Sequence, residues 1–180
     1  MSSWLEERLF DRRIVVLQGA LSGPVSSQAA AALLTLDELG ADPVQLHMSA
    51  PDGELTAAFA MVDAIDAMRA PVHAMVTAEV GGAAVAVLAA AERRLAYQHA
   101  RIRLVEPRAA ALSGTADEVA AAAGQYLREL EELALRLAEV TDQPRSQIEN
   151  DLSAGRTFTA EQALAYGLID EIVGRPKNGA

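Results

Sequence analysis

Cysteine is absent from all 180 residues, which excludes disulfides, a thiolate metal site and a cysteine nucleophile. The missing thiols suit a cytoplasmic protein, the compartment expected here. Positive charge is scarce: 15 Lys and Arg stand against 25 Asp and Glu, a formal net charge of −10. Nucleic acid and anionic membrane surfaces are therefore not expected as partners. Long hydrophobic runs are missing too. The apolar stretch from Val80 to Ala91 is too short and too alanine-rich to cross a bilayer, which takes about 20 residues. The start, MSSWLEERLFDRR, is charged and amphipathic without an apolar core, so no secretory leader is expected. His47, His73 and His99 share no metal-ligand spacing, and neither a metal nor another cofactor is expected. Aromatic residues reach only 4%. Alanine, which forms helices readily, is abundant instead.

What is present is 51% hydrophobic and 22% charged, the balance of a globular chain long enough to bury a sizeable core. One domain over 1–180 is the simplest division. Residues 4–12 suit a short amphipathic helix with Trp4, Leu5, Leu9 and Phe10 on one side. Arg13 to Leu17 reads as a buried strand, and Ser26 or Ser27 as the cap of a helix that Gly40 stops after Leu39. Val44 to Met48 is a second strand, the breaker-rich 49–53 a turn, and Thr56 to Met68 a helix. Two short strands, Arg93 to Ala96 and Arg101 to Leu104, precede a loop or edge segment over 108–114. A long helix over 115–141 carries the apolar stripe Tyr126, Leu130, Leu133 or Ala134, Leu137 and Val140. At about 25 residues it exceeds the usual globular length, and its stripe asks for a partner, which another subunit could supply. Pro144 opens a further helix to Asp151. Thr159-Ala160-Glu161-Gln162 has the form of a capping box, with Gly167 ending the helix it starts. Leu168 to Val173 is the last apolar segment, and 176–180 a polar tail. Strands alternating with helices give an α/β fold of stacked ββα units.

The stretch PVHAMVTAEVGGAAVAVL, from Pro71 to Leu88, organises the rest. It predicts a strand over 72–77, a turn over 79–82 and a helix over 83–91. Strand-to-helix turns of this kind carry the nucleophile of many hydrolases, with free backbone N–H groups beside it. Here the turn offers Gly81 and Gly82, with no hydroxyl or thiol. Ser49, Thr77, Ser113 and Ser153 read as turn, cap or strand residues rather than replacement nucleophiles. Glu79, just before the glycines, reads as a surface residue or an ion-pair partner.

In order and spacing, RIVVL-Q-G, PDGEL-TAAFAMVDAI, the Gly-Gly turn, ARIRLVEP, TDQP and TAEQALAYGLIDEIV resemble the proteolytic subunit of the ATP-dependent Clp protease, ClpP, from about Trp4 to Val173. The resemblance implies a crotonase-like fold, heptameric rings stacked as tetradecamers through a long handle helix, here 115–141, and an AAA+ unfoldase that feeds the chamber. The family's segment ahead of the first helix has no counterpart here, so an axial gate is not expected.

Carried over residue by residue, the resemblance implies lost catalysis. The family's serine position is Gly82, its histidine position Val105 and its aspartate position Gly155, and the flanking Ala154 and Arg156 are not acids. Attack, proton transfer and imidazole orientation each need the group that is missing. The backbone oxyanion donors would fall at Gly53 and Ala83, where Asp52 places a carboxylate beside any developing negative charge. The ring-linking Asp-Arg pair of the family reads Ser153-Ala154, and its glycine-rich substrate strand reads Arg108-Ala109-Ala110-Ala111-Leu112. The expectation is a non-catalytic ClpP-like subunit that self-associates into rings, alone or with an active paralogue. One alternative is a crotonase-like acyl-CoA enzyme that uses Glu106 and the backbone oxyanion hole; another is a residual or unconventional peptidase.

Overall fold

Strands β1 (Ile14–Gln18), β2 (Val44–Ala50) and β3 (Val72–Gly81) lie parallel and side by side in the computed structural model, which describes residues 3–109, 111 and 113–174. Beyond β3 the sheet continues through β4 (Arg93–Tyr97) to β7 (Glu171–Val173). The second half of β3 pairs with β5 (Arg101–Leu104), whose other edge takes an antiparallel partner, β6 (Arg156–Thr159). The connecting helices are α1 (Ser3–Asp11), α2 (Gly23–Leu39), α3 (Leu55–Ala67), α4 (Ala84–Ala90), α5 (Ala116–Thr141), α6 (Arg145–Ala154) and α7 (Ala160–Tyr166). This is the mixed α/β sheet with a long helix that the resemblance implies.

Burial alternates along the strands. In β2, Val44, Leu46, Met48 and Ala50 are buried while Gln45, His47 and Ser49 are not. The buried side joins α2, α3 and α4 in one apolar core, and α5 packs on α3 and α4. The opposite face, carrying Gln45, His47, His73, Arg93 and Tyr97, stays part-open. Parallel sheets are normally covered on both faces, so this one leaves half of that cover unmade. Half-burial there pulls the His47 imidazole below its ordinary pKa.

Arg94 ties the far edge together. It holds Asp170 bidentately at 2.7 and 3.2 Å and donates to the Gly167 and Val140 carbonyls, which joins β4 to the ends of α5 and α7. The capping box expected at Thr159 forms with Gln162, and Thr115 with Glu118 forms a second one that was not foreseen.

Several expectations need correction. Helix α2 starts at Gly23 rather than at Ser26 or Ser27, because Pro24 is pre-set for the first turn. Ser26 is buried inside the helix and its hydroxyl has no partner among the described residues. Glu79, Val80 and Gly81 are strand paired with Arg101, Ile102 and Arg103, so the turn begins only at Gly82. Strand β6 was not expected at all. The stripe on α5 needs no other subunit: Leu133, Ala134 and Leu137 are buried in this chain's own core, with Tyr126, Leu130 and Val140 packed against it. The large apolar side chains that α5 leaves exposed are Val119, Leu127 and Leu135. Of the segment expected over 108–114, residues 108, 109, 111, 113 and 114 belong to no strand; 110 and 112, like the tail over 176–180, lie outside the described residues. No helix among the described residues is long and apolar enough to cross a membrane.

Candidate functional site

In a parallel sheet the loops after the strands gather at one edge, where such folds place their sites. Here β2 runs out into Pro51-Asp52-Gly53, β3 into Gly82, and β5 into Val105. Gly155 enters from α6, one residue before the strand that pairs with β5. An isolated parallel bridge between Leu21 and Gly53 closes this edge: Leu21 N–H donates to the Asp52 carbonyl and Glu54 N–H to the Leu21 carbonyl, both at 3.0 Å.

Three of the residues named from sequence meet here. Gly82 is buried, with φ at +55°, the left-handed region that glycine enters without cost. A Cβ built there would face Asp52 Oδ1 at 3.2 Å and Val105 Cγ1 at 4.0 Å. A Cβ at Gly155 would meet the other Val105 methyl at 3.8 Å. Val105 therefore bridges Gly82 and Gly155, and the Asp52 carboxylate stands over the first of them.

Two backbone donors were expected. The Gly53 N–H is already taken, since it donates to Asp52 Oδ1 at 2.8 Å. The Ala83 N–H, at the start of α4, has no acceptor among the described residues and is buried. On the rim, Arg108 stands 3.8 Å from Asp52 Oδ2, and Arg103 donates to the Pro51 carbonyl at 3.1 Å. Glu79 does find an ion-pair partner, with its Oε1 3.7 Å from Arg103 Nε. Thr77 donates to the Met48 carbonyl, an interstrand bond rather than a nucleophile's.

Glu106 goes elsewhere. The Tyr126 phenol on α5 donates to the Pro107 carbonyl at 2.6 Å, with Glu106 Oε1 3.4 Å away. Burial and this carboxylate both push the Tyr126 phenol above its ordinary pKa. Glu106 lines a cavity of about 340 Å³ between α5 and α6, and none of Gly53, Gly82 and Ala83 is in its wall. Among the described residues no group of His, Asp and Glu is placed to hold a metal ion.

A buried cluster behind the site escaped the sequence reading. Asp151 on α6 accepts from Tyr166 Oη at 2.6 Å and Gln147 Nε2 at 3.1 Å, with Arg156 at 3.3 Å. The Arg156 guanidinium lies over Phe158, 4.4 Å from its ring centre, and near Tyr166. These contacts clamp the residues on both sides of Gly155. No spacing in the sequence links positions 151, 156 and 166; the turn from α6 into β6 brings them together. Burial acts to raise the Asp151 pKa, but the phenol, the amide and the guanidinium outweigh it and hold it below the usual carboxylate range. Burial and the same carboxylate push the Tyr166 phenol up.

A carboxylate whose folded pKa is depressed stabilises the fold above its unfolded pKa of about 3.9, and that contribution fades as pH falls through the folded value. Asp151→Asn is therefore expected to cost about 1–3 kcal/mol in urea unfolding at pH 7, the worth of hydrogen bonds to a charged group. The gap to the parent chain should narrow below pH of about 4. A gap of constant size from pH 7 to pH 3 would show that the charge contributes nothing.

Known proteins resemble this chain along nearly its whole length. A family model described as Clp protease matches residues 2–176. The ATP-dependent Clp protease proteolytic subunit 2 of Rhodococcus jostii is 32% identical over 97% of this chain and 91% of its own length. The corresponding subunit 4 of Streptomyces avermitilis is 28% identical over 94% of this chain and 76% of its own. A chloroplastic protein of Arabidopsis thaliana, named as related to the proteolytic subunit, is 33% identical over 94% of this chain and 61% of its own. A match that runs through every strand and helix around the Gly82 turn leaves one assignment: the chain belongs to the Clp protease family.

Proposed function

We propose that this chain is a non-catalytic subunit of a barrel-shaped Clp-type peptidase assembly, in which it completes or regulates a ring. The observation that carries this reading is the convergence of Gly82, Val105 and Gly155. These are the positions that the resemblance assigns to the family's serine, histidine and aspartate, and they hold no hydroxyl, imidazole or carboxylate. Acyl transfer has neither its nucleophile nor its base there, and the Asp52 carboxylate opposes an oxyanion where Gly53 would hold one. The part-open sheet face and the exposed Leu127 and Leu135 of α5 support association with further copies or an active paralogue. An AAA+ unfoldase is the partner that such a barrel serves. The acyl-CoA alternative loses support, because Glu106 lies in the α5–α6 cavity, away from the turn. The same reading places the chain in the cytoplasm.

The test is native mass spectrometry with a fluorogenic peptide assay, on the chain alone and co-expressed with an active proteolytic subunit from the same genome. Rings are expected in at least one preparation, and peptide turnover only in the mixture. Turnover by the chain alone that disappears on replacing one of its own serines would overturn the proposal.

A further inference from the structure

Next to the Asp52–Gly53 turn lies a second cavity, of about 360 Å³, between the start of α3, the middle of α5 and Arg108–Ala109. Its wall includes Glu54, Thr56, Arg108, Gln125, Tyr126 and Glu129. Glu129 is the unusual member. It projects from a long, mostly solvated helix, yet it is only 7% exposed. Its carboxylate accepts from Gln125 Nε2 at 2.9 Å, and Thr56 Oγ1 stands 3.2 and 3.3 Å from its two oxygens. The threonine has one proton and serves one oxygen at a time, so acceptor capacity is left over. Among the described residues no Lys, Arg or His forms an ion pair with Glu129. Arg108, the cation in the wall, is paired with Asp52 instead.

A buried charge without a counter-charge is costly and is normally paired or neutralised. Two neutral donors hold this carboxylate in place, and neither is a counter-charge. An alkyl ammonium or guanidinium entering the cavity would supply the missing partner, while the apolar stem of such a side chain suits the Leu55, Ala122, Ala123 and Leu127 part of the wall. We infer that this cavity selects a cationic side chain, lysine or arginine, of a peptide held at the edge where Gly53 and Gly82 meet. The inference rests on the peptide-handling assembly proposed above and adds a chemical preference to it: a subunit that does not cut can still hold basic segments.

The assembled full-length chain is titrated with two fluorescein-labelled, end-capped hexapeptides that differ only in a central lysine or its uncharged isostere norleucine. Binding is followed by fluorescence anisotropy. The lysine peptide is expected to bind about tenfold tighter or more, as a desolvated charge pair discriminates, and Glu129→Gln should abolish the difference. Glu54→Gln at the exposed rim should leave most of it. Free n-butylammonium should compete with the lysine peptide at millimolar concentration and not displace the norleucine peptide. Equal affinity of the two peptides for the parent chain overturns the inference without any variant. A lysine preference that survives Glu129→Gln overturns it as well, and so does an amine that binds where neither peptide does. Mass spectrometry of the recovered peptides separates the two proposals: cleavage by the chain alone overturns the non-catalytic reading and leaves the lysine preference to stand or fall on the titration.

Discussion

Replacing Gly53 by alanine is expected to cost at least about 3 kcal/mol of stability, near the upper end of what a single added methyl group does. An added Cβ would overlap Leu21 Cβ and sit 3.0 Å from the Leu21 Cα and N. Leu21 is only 1% exposed, and its N–H and carbonyl are both bonded to the 52–54 turn, so it has nowhere to retreat. The methyl group must therefore break the Leu21–Gly53 bridge that closes the sheet edge. Gly23→Ala is the control: nothing lies within 4 Å of a Cβ there, and a change within about 0.5 kcal/mol is expected. Urea unfolding of both variants decides the matter. Equal midpoints would mean that the close approach to Leu21 carries no weight. The loss expected for Gly53→Ala assigns this glycine to packing as well as to its N–H, and a packing role persists whether or not the site has chemistry.

The fold was legible where its signals are local. Period-two burial in β2, Gly40 and Gly167 as stops, and the Thr159 box are each written within a few residues. The length of α5 was readable for the same reason. Failures came where pairing is non-local. Arg156-Thr157-Phe158-Thr159 is too short and polar to announce a strand, and it becomes one because β5 offers an edge. Glu79 to Gly81 looked like a turn because glycines end it, yet Arg101 to Arg103 extends it as strand. The stripe on α5 was seen, but which surface covers it is a property of the packed chain. In the candidate site the residue types were readable and their meeting was not: positions 82, 105 and 155 come from three elements, and Val105 touches both neighbours only after the sheet forms. Glu129 gave no sequence signal, since one more glutamate on a charged helix looks solvated until Thr56 and Gln125 close around it.

Restoring the proposed triad alone is expected to fail. The variant Gly82→Ser, Val105→His, Gly155→Asp puts the side chains of the proposed triad at positions that already converge. Gly155 has φ at +71°, which aspartate tolerates better than most residues, and a serine at Gly82 would adopt the strained turn typical of nucleophile elbows. The obstacle is Asp52. Its Oδ1 occupies the Gly53 N–H at 2.8 Å and would lie 3.2 Å from the new serine's Cβ. A tetrahedral intermediate would then build its negative charge beside a fixed carboxylate and without that donor. Removing one oxyanion donor typically costs about 10²–10³ in rate, and a facing charge adds to it. Adding Asp52→Gly should therefore raise turnover of a fluorogenic peptide at least about a hundredfold over the triple variant, with labelling by a serine-reactive fluorophosphonate rising in parallel. Asp52→Asn, which removes the charge and keeps an acceptor on the Gly53 N–H, should fall between them. Equal activity of the triple and quadruple variants, whether high or nil, would remove Asp52 from the account. The ordering expected here places the block in the Asp52 side chain, so that three substitutions would leave the site closed and a fourth would open it.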